Sequence, residues 1–262
     1  MPQFSWNLWR VAGIDLFLHP SFLLLPLFVL LQGGGAFSRV VLAGVFGCVV
    51  LHELGHALMA RRYGIGTADI TLYPIGGVAR LDRMPRGGGP ELAIALAGPA
   101  VNLGIAAGLW AGLEVFGPWL GMSLLTVLMV QLLWINIGLL VFNMLPVFPM
   151  DGGRVLRAAL SGPMGRVRAT EVAATIGRGI AVVAGLYFLF NGLFFQAALA
   201  AFVYTAASAE LSAVRREEWD RRQADGWPDP PAGYRWVDRG DGVFRLSPIV
   251  VTWVPPRDRS WR

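Results

Sequence analysis

The sequence has little charge and no lysine. Only 15% of its 262 residues are charged and 55% are hydrophobic, whereas a soluble domain carries about 25% charged residues. This composition excludes an ordinary soluble domain. Several apolar stretches approach the roughly 20 residues that cross a lipid bilayer. The sequence therefore predicts an integral membrane protein surrounded by lipid.

Cysteine is also nearly absent, and the basic residues do not gather on one face. The only cysteine, Cys48, cannot form an internal disulfide, and its apolar surroundings predict a small buried residue. The net charge of +5 comes from arginines in the loops and the tail, which is the distribution that membrane orientation produces. No nucleic-acid partner is expected. A cleavable signal peptide is not expected either, since no small-residue cleavage site follows the first apolar run.

The apolar segments predict an all-α polytopic membrane protein with about six transmembrane helices. The predicted spans cover residues 20–32, 38–61, 90–113, 119–145, 172–190 and 193–212. The first span is short unless it tilts. Among the loops that join the spans, arginines lie between spans two and three and between spans four and five, and the opposite loops hold only Arg39. By the positive-inside rule, both termini and the two longer loops are predicted to be cytoplasmic.

Two segments outside the spans differ in composition. Residues 64–81 alternate, contain β-branched residues and include a Pro/Gly turn, which predicts a membrane-associated β-hairpin or short sheet. This segment is either a simple cytoplasmic loop or an edge that holds an extended peptide. The chain turns polar after Ala213, so we expect a membrane domain at 1–213 and a short cytoplasmic tail at 214–262. The tail has candidate strands at 242–246 and 249–254, and we expect it to dock on the membrane domain or a regulatory partner.

The second span contains an unusual set of ionisable residues. His52 and His56 are four positions apart, so on a helix both imidazoles project from one face. Two such nitrogens supply two corners of a tetrahedral zinc site, and Glu53 lies where it can act as a general base toward water. Ionisable side chains within a span are costly and are functional by default. The pattern predicts a metal site.

A third ligand is needed, and several residues could supply it. Asp151 follows two prolines that end the fourth span and precedes two glycines, and predicted topology places it at the depth of the two histidines. It could equally cap the helix that follows it. The other histidine is His19, and the other carboxylates are Asp69, Asp82, Glu91 and Glu114, of which Glu114 is predicted to lie on the far side of the membrane.

These residues resemble those of the site-2 protease family of intramembrane zinc metalloproteases. The matching motifs are His52–His56, Gly98–Asn102, Asn143 with Pro146 and Asp151–Gly153, together with residues 13–21 and 73–79. The likeness covers about residues 8 to 212. It is closest to a compact six-span branch, because no PDZ insert and no nucleotide-sensing domain is evident.

The resemblance implies a function and roles for particular residues. His52, His56 and Asp151 would hold one Zn²⁺ per chain and Glu53 would activate water. Asn143 and Asn102 are candidates for a substrate or oxyanion contact, although either could simply bond between helices. An extended substrate strand would have five candidate residues to pair with, namely Thr71, Leu72, Tyr73, Gly76 and Gly77. Substrates would be single-span membrane proteins, cut by regulated intramembrane proteolysis at a bacterial inner membrane.

Two other functions remain open at this point. A membrane chaperone or scaffold of the same fold would have a decayed site, whereas all four expected positions are filled here. A metal transporter would place polar groups at midplane depth in several spans, and spans three, five and six offer almost none. The sequence predicts no oligomeric state and identifies no substrate.

Overall fold

The computed structural model describes residues 5–74, 76–83, 85, 87–224, 230–238 and 244–248. The helices of the described part are α1 (Leu24–Leu31), α2 (Ala36–Arg62), α3 (Gly88–Leu120), α4 (Leu124–Asn143), α5 (Asp151–Met164), α6 (Arg166–Phe190) and α7 (Phe194–Ala224). The strands are β1 (Trp6–Val11), β2 (Ile14–Leu18), β3 (Thr67–Tyr73), β4 (Gly76–Leu81), β5 (Tyr234–Asp238) and β6 (Phe244–Pro248). The chain divides into two compact units, Met1–Leu211 and Ser212–Arg262.

Five helices of the described chain are long and apolar enough to cross a membrane. They are α2, α3, α4, α6 and α7, and they correspond to the second to sixth predicted spans. This result confirms the predicted polytopic helical class. The first predicted span is different, because it folds as a short apolar segment, Pro20–Leu31. At 1.5 Å per residue such a segment extends about 18 Å, which is less than the ~30 Å hydrocarbon core.

A four-stranded sheet accounts for this short segment. The strand order is β1-β2-β3-β4, with β2 and β3 parallel and the outer pairs antiparallel. The sequence predicted the β3–β4 hairpin but not β1 and β2. Because β2 pairs with β3, the amino-terminal strands and the connection between α2 and α3 lie on the same side of the helices.

The sheet packs against α2 and delivers the chain beside the middle of that helix. The buried residues of this interface are Ile14, Leu16, Ala57, Ile70 and Leu72. After β2, the His19 amide donates to the Leu72 carbonyl at 3.0 Å. The Phe22 ring then meets the Phe46 ring edge-on at 4.4 Å between centroids. From this point the chain needs to run only along the part of α2 that precedes Phe46. This is why α1 can be short.

Small residues set the spacing of the central helices. A Cβ on Gly55 of α2 would lie 2.9 Å from the Ala97 carbonyl oxygen of α3. A Cβ on Gly44 would lie 3.1 Å from the Leu132 side chain of α4. Close approach at small residues is typical of helices packed in lipid. The interface between α2 and α4 continues at Cys48, whose sulfur accepts a hydrogen bond from Asn136 Nδ2 at 3.2 Å.

The second unit contains the end of α7 and an antiparallel hairpin of β5 and β6. The hairpin register runs from Tyr234 paired with Pro248 to Asp238 paired with Phe244. The candidate strand at 242–246 overlaps β6. The candidate strand at 249–254 lies outside the described residues. The predicted domain division after Ala213 stays a prediction, and α7 contributes residues to both units.

Candidate metal centre

Three buried side chains converge at one point between α2 and α5. His52 and His56 lie one turn apart on α2, and Asp151 is the first residue of α5. The two Nε2 atoms are 3.1 Å apart. Oδ2 of Asp151 lies 3.2 Å from Nε2 of His52 and 3.1 Å from Nε2 of His56. Within the described chain, this is the one group of such side chains that could hold a metal ion.

The spacing and the chemistry of this triad fit a zinc ion. Tetrahedral zinc with ligand distances of 2.0–2.2 Å separates its ligand atoms by about 3.3 Å, close to the observed triangle. Nδ1 of His56 lies 2.7 Å from the Ile94 carbonyl oxygen and can only donate to it. The neutral ring therefore directs the lone pair of Nε2 at the carboxylate and at the other imidazole. A cation between these atoms relieves their mutual repulsion.

Helix α3 closes one side of the triad through a glycine. A Cβ on Gly98 would lie 2.2 Å from Nε2 of His56 and 2.7 Å from Cε1 of His52. Any larger residue would occupy the space in which the two imidazoles meet. Steric contact with the two imidazoles therefore explains why the first residue of the Gly98–Asn102 motif is a glycine.

The segment between α4 and α5 brings Asp151 to the histidines. Phe148 is 1% exposed and anchors this segment among residues of α6 and α7. A Cβ on Gly152 would lie 2.2 Å from the Leu145 carbonyl oxygen, so the backbone folds back tightly there. The side chain of Asp151 contacts both histidines, and the N-cap position of α5 is held by Met150. The alternative that Asp151 caps the following helix is wrong, because α5 begins at Asp151 itself.

Glu53 lies beside the triad and against the sheet. Its Oε2 accepts a hydrogen bond from the Ala79 amide of β4 at 3.2 Å. A Cβ on Gly77 would lie 2.6 Å from Cγ of Glu53, so a glycine is needed where β4 crosses α2. The carboxylate is half-buried. It is therefore held at the rim of the site by a backbone donor.

The other candidate ligands have different surroundings. His19 bonds to Ser21 at 2.6 Å and stacks on Tyr73. Asp69 is paired with Arg80, and this hydrogen bonding raises the pKa of the exposed Arg80 guanidinium above its usual value. Glu91 is paired with a buried arginine. Asp82 and Glu114 are exposed. None of these five belongs to the metal-binding group of the described chain.

The two asparagines differ in their surroundings. Asn102 lies one turn after Gly98 on α3 and is 0% exposed. Among the described residues, neither its Oδ1 nor its Nδ2 has a hydrogen-bond partner. Asn143 is the last residue of α4 and is half-buried. No hydrogen bond within the described chain joins either side chain to the triad, so their roles stay predictions.

The sheet corrects the predicted residues for substrate pairing. Thr71 and Leu72 lie in β3, which is bonded to β2 on one side and to β4 on the other. An inner strand has no free backbone edge, so the prediction is wrong for Thr71 and Leu72. Tyr73 pairs with Gly76 at the hairpin end. Gly76 and Gly77 lie in β4, and the side of β4 away from β3 faces α2.

Two backbone contacts of the site could not be found by sequence reasoning. The Ile94 carbonyl and the Ala79 amide are backbone groups, which carry no residue-type signal. Arg157, 0% exposed in α5, could have been noticed only as one of two arginines, with Arg154, in the helix that begins at Asp151.

The fold and the site define a polytopic membrane protein with a buried triad between α2 and α5 that could hold a metal ion. The sequence profile of peptidase family M50 matches residues 40–131 and 119–184. Together these matches cover more than half of the chain. The chain belongs to peptidase family M50, which confirms the expected family.

Relatives and a solved structure agree with this assignment. A zinc metalloprotease of Methanocaldococcus jannaschii is 37% identical over 219 residues, which are 82% of this chain and 63% of that protein. Stage IV sporulation protein FB of Bacillus subtilis is 27% identical, over 57% of this chain and 49% of that protein. The structure of a site-2 protease from Methanocaldococcus jannaschii is similar with a TM-score of 0.59 at 36% identity, covering 79% of this chain and 95% of that one.

The chain thus spans between about half and just under two thirds of the length of these curated relatives. The zinc named in the first relative and the observed triad support zinc as the cofactor.

Proposed function

We propose that this chain is a zinc metalloendopeptidase that cuts membrane proteins in or near their transmembrane segments. The observation that carries the proposal is the convergence of the His52, His56 and Asp151 ligand atoms within 3.2 Å of one another, beside Glu53. We assign these three residues as ligands of one zinc ion per chain. The substrates are single-span proteins processed by regulated intramembrane proteolysis. The enzyme lies in a bacterial inner membrane with both termini in the cytoplasm.

The chemistry divides between the metal and the chain's own residues. Bound zinc lowers the pKa of water and polarises a carbonyl group. Glu53 takes the proton from the attacking water and later gives it to the leaving amine, which is general base and then general acid catalysis. Helix α3 packs against the two imidazoles at Gly98, which leaves room for both rings. Asn143 and Asn102 are assigned to contacts with the substrate carbonyl.

The outer edge of β4 orients the substrate. A helical substrate has its carbonyl groups in hydrogen bonds, so it must unwind before attack. The Ala79 amide donates toward α2, and Gly77, two residues away, directs its amide to the same side. An extended segment can add to this edge as a further strand. It would then displace Glu53 from the Ala79 amide and lie beside the triad.

Zinc content and substrate capture test the proposal together. The detergent-purified protein should hold about one zinc per chain, and His56→Ala and Asp151→Ala should each lose most of it. Glu53→Gln should keep zinc and lose activity by roughly 10²- to 10⁴-fold. In its own membranes this variant should accumulate uncut single-span proteins that the parent converts to fragments.

Two results would contradict the proposal. A folded parent protein without zinc would favour the hypothesis of an inactive membrane scaffold over that of an enzyme. A Glu53→Gln variant that produces fragments at the parent rate would remove the general base from the mechanism.

A further inference from the structure

A buried arginine joins three helices close to the triad. Arg157 lies in α5, and its side chain is fully buried. Its Nε donates to Oε1 of Glu91 in α3 at 2.7 Å. Its Nη1 donates to Oε1 of Glu210 in α7 at 2.6 Å. One guanidinium thus bonds carboxylates from two other helices, and the proposed chemistry uses none of these three residues.

The same arginine also contacts the segment that precedes Asp151. The guanidinium carbon lies 5.1 Å from the ring centroid of Phe148. That ring is 1% exposed and packs with Ala173, Ala174, Ala207 and Leu211. Asp151 stands in the chain between Phe148 and Arg157. The chain is therefore held in place before Asp151 by the packing of the Phe148 ring, and after Asp151 by the ion pairs of Arg157.

Stability alone gives a weak reason for these charges. A buried ion pair is often no better for stability than well-packed apolar residues, because the desolvation of the ions offsets their attraction. An arginine provides direction, since its planar fork aims separate N–H groups at separate acceptors. Here the acceptors lie on α3, which closes the triad, and on α7. The fork consequently fixes α5 relative to the helix that faces the two imidazoles.

We propose that Arg157 is a positioning residue for the metal centre, holding Asp151 in the ligand triangle through its bonds to Glu91 and Glu210. The inference rests on the proposed zinc site. It assigns the ion-pair cluster of Arg157, Glu91 and Glu210 a role in metal affinity and ligand geometry. No member of this cluster needs to touch substrate.

Cobalt binding tests the proposal without any substrate. Co²⁺ in a tetrahedral site of nitrogen and oxygen ligands absorbs visible light, and its bands report on the ligand geometry. Arg157→Lys keeps a positive charge but loses the fork. We expect it to bind Co²⁺ about 10- to 100-fold more weakly than the parent, the range found when residues that orient metal ligands are changed. Its visible bands should weaken and shift.

Two further variants make the experiment decisive. Thr170→Val is the matched control, because Thr170 is also 0% exposed and bonds only to the Arg166 carbonyl of its own helix in the described structure. It should retain the parent affinity and spectrum. Glu210→Gln leaves the bonds between Arg157 and Glu91 in place and changes a side chain that is 28% exposed. It should weaken Co²⁺ binding less than Arg157→Lys, and it decides the question if the lysine variant does not fold.

The outcomes separate this inference from the proposed function. A parent that binds neither Zn²⁺ nor Co²⁺ would contradict the metalloprotease proposal itself. A parent that binds Co²⁺, with folded Arg157→Lys and Glu210→Gln variants of equal affinity and identical spectra, would overturn the positioning role alone.

Discussion

Individual residues fix the geometry of the site mainly by being small. Gly98 leaves room for the two imidazoles, Gly77 leaves room for Glu53, and Gly152 lets the backbone before Asp151 fold back. None of these three positions has the positive φ that favours glycine for its backbone freedom. They are glycines because another group occupies the place of a Cβ. The consequence is that a single added methyl group should affect the metal site selectively.

Gly98→Ala should therefore reduce zinc binding. The new methyl group would lie 2.2 Å from Nε2 of His56, so the imidazoles must move apart. We expect zinc affinity to fall by at least about tenfold, measured as metal per chain during titration with a zinc chelator.

Gly104→Ala in the same helix is the matched control. No described atom lies within 4 Å of the place its Cβ would take, and alanine is the better helix former by about 1 kcal/mol. This variant should bind zinc like the parent. Equal zinc affinity of both variants would show that Gly98 does not limit the approach of the two histidines.

The residues of the site differ in how far sequence could identify them. His52, Glu53 and His56 depend only on helical periodicity, which is a local property. Asp151 required an argument about depth, and the alternative that it caps a helix stayed open until the contacts with both imidazoles were seen. The Ile94 carbonyl could not be predicted, because contacts between distant backbone groups follow from packing and not from residue type.

At the scale of elements, the main difference concerns the sheet. Strands β1 and β2 were not predicted, since their sequence is mixed and they become strands by pairing with each other and with β3. Their presence makes β3 an inner strand and leaves β4 as the edge beside Glu53. Sequence could predict the hairpin but not which of its strands is free, because that depends on a third, distant segment.

The Ala79 amide should thus matter for substrate and not for metal. Ala79→Pro removes this amide, which donates to Glu53 and not to β3, and proline is tolerated at the outer edge of a sheet. We expect cleavage of captured single-span proteins to fall at least about tenfold, since a lost donor leaves its partner unpaired at a cost of about 1–3 kcal/mol. Zinc content should not change.

Ala79→Ser keeps the amide and adds little bulk, so it should cleave like the parent. Parent-like cleavage by the proline variant would exclude this edge as the place where substrate pairs.

For the whole molecule, the sheet determines the path of the chain through the membrane. Parallel pairing of β2 with β3 requires that residues 6–18 and 67–81 lie on one side. The bond between Arg157 and Glu210 places that part of α7 at the level of α5. The first apolar segment is short because the chain starts it beside the middle of α2, as the contact of Phe22 with Phe46 shows. Hydropathy predicted the number of apolar segments but could not show where the first one begins.

Cysteine labelling should show this arrangement directly, because the chain has a single cysteine. In a Cys48→Ala background, we expect Arg10→Cys and Arg83→Cys to react with a membrane-impermeant maleimide from the same side. Arg10 is in β1, and Arg83 follows β4. Met122 lies between α3 and α4 and is 93% exposed. Met122→Cys should react from the opposite side. The positive-inside rule assigns the side of the two arginines to the cytoplasm.

The measurement uses sealed right-side-out and inverted vesicles, with detergent-solubilised protein to show that each cysteine can react. Labelling of Arg10→Cys and Arg83→Cys from different sides would be incompatible with the β2–β3 pairing. Labelling of both from the same side, but from the exterior of the cell, would preserve the fold and reverse the proposed orientation. The proposed active site would then receive its water from outside the cytoplasm, because the sheet and Glu53 are joined through Ala79.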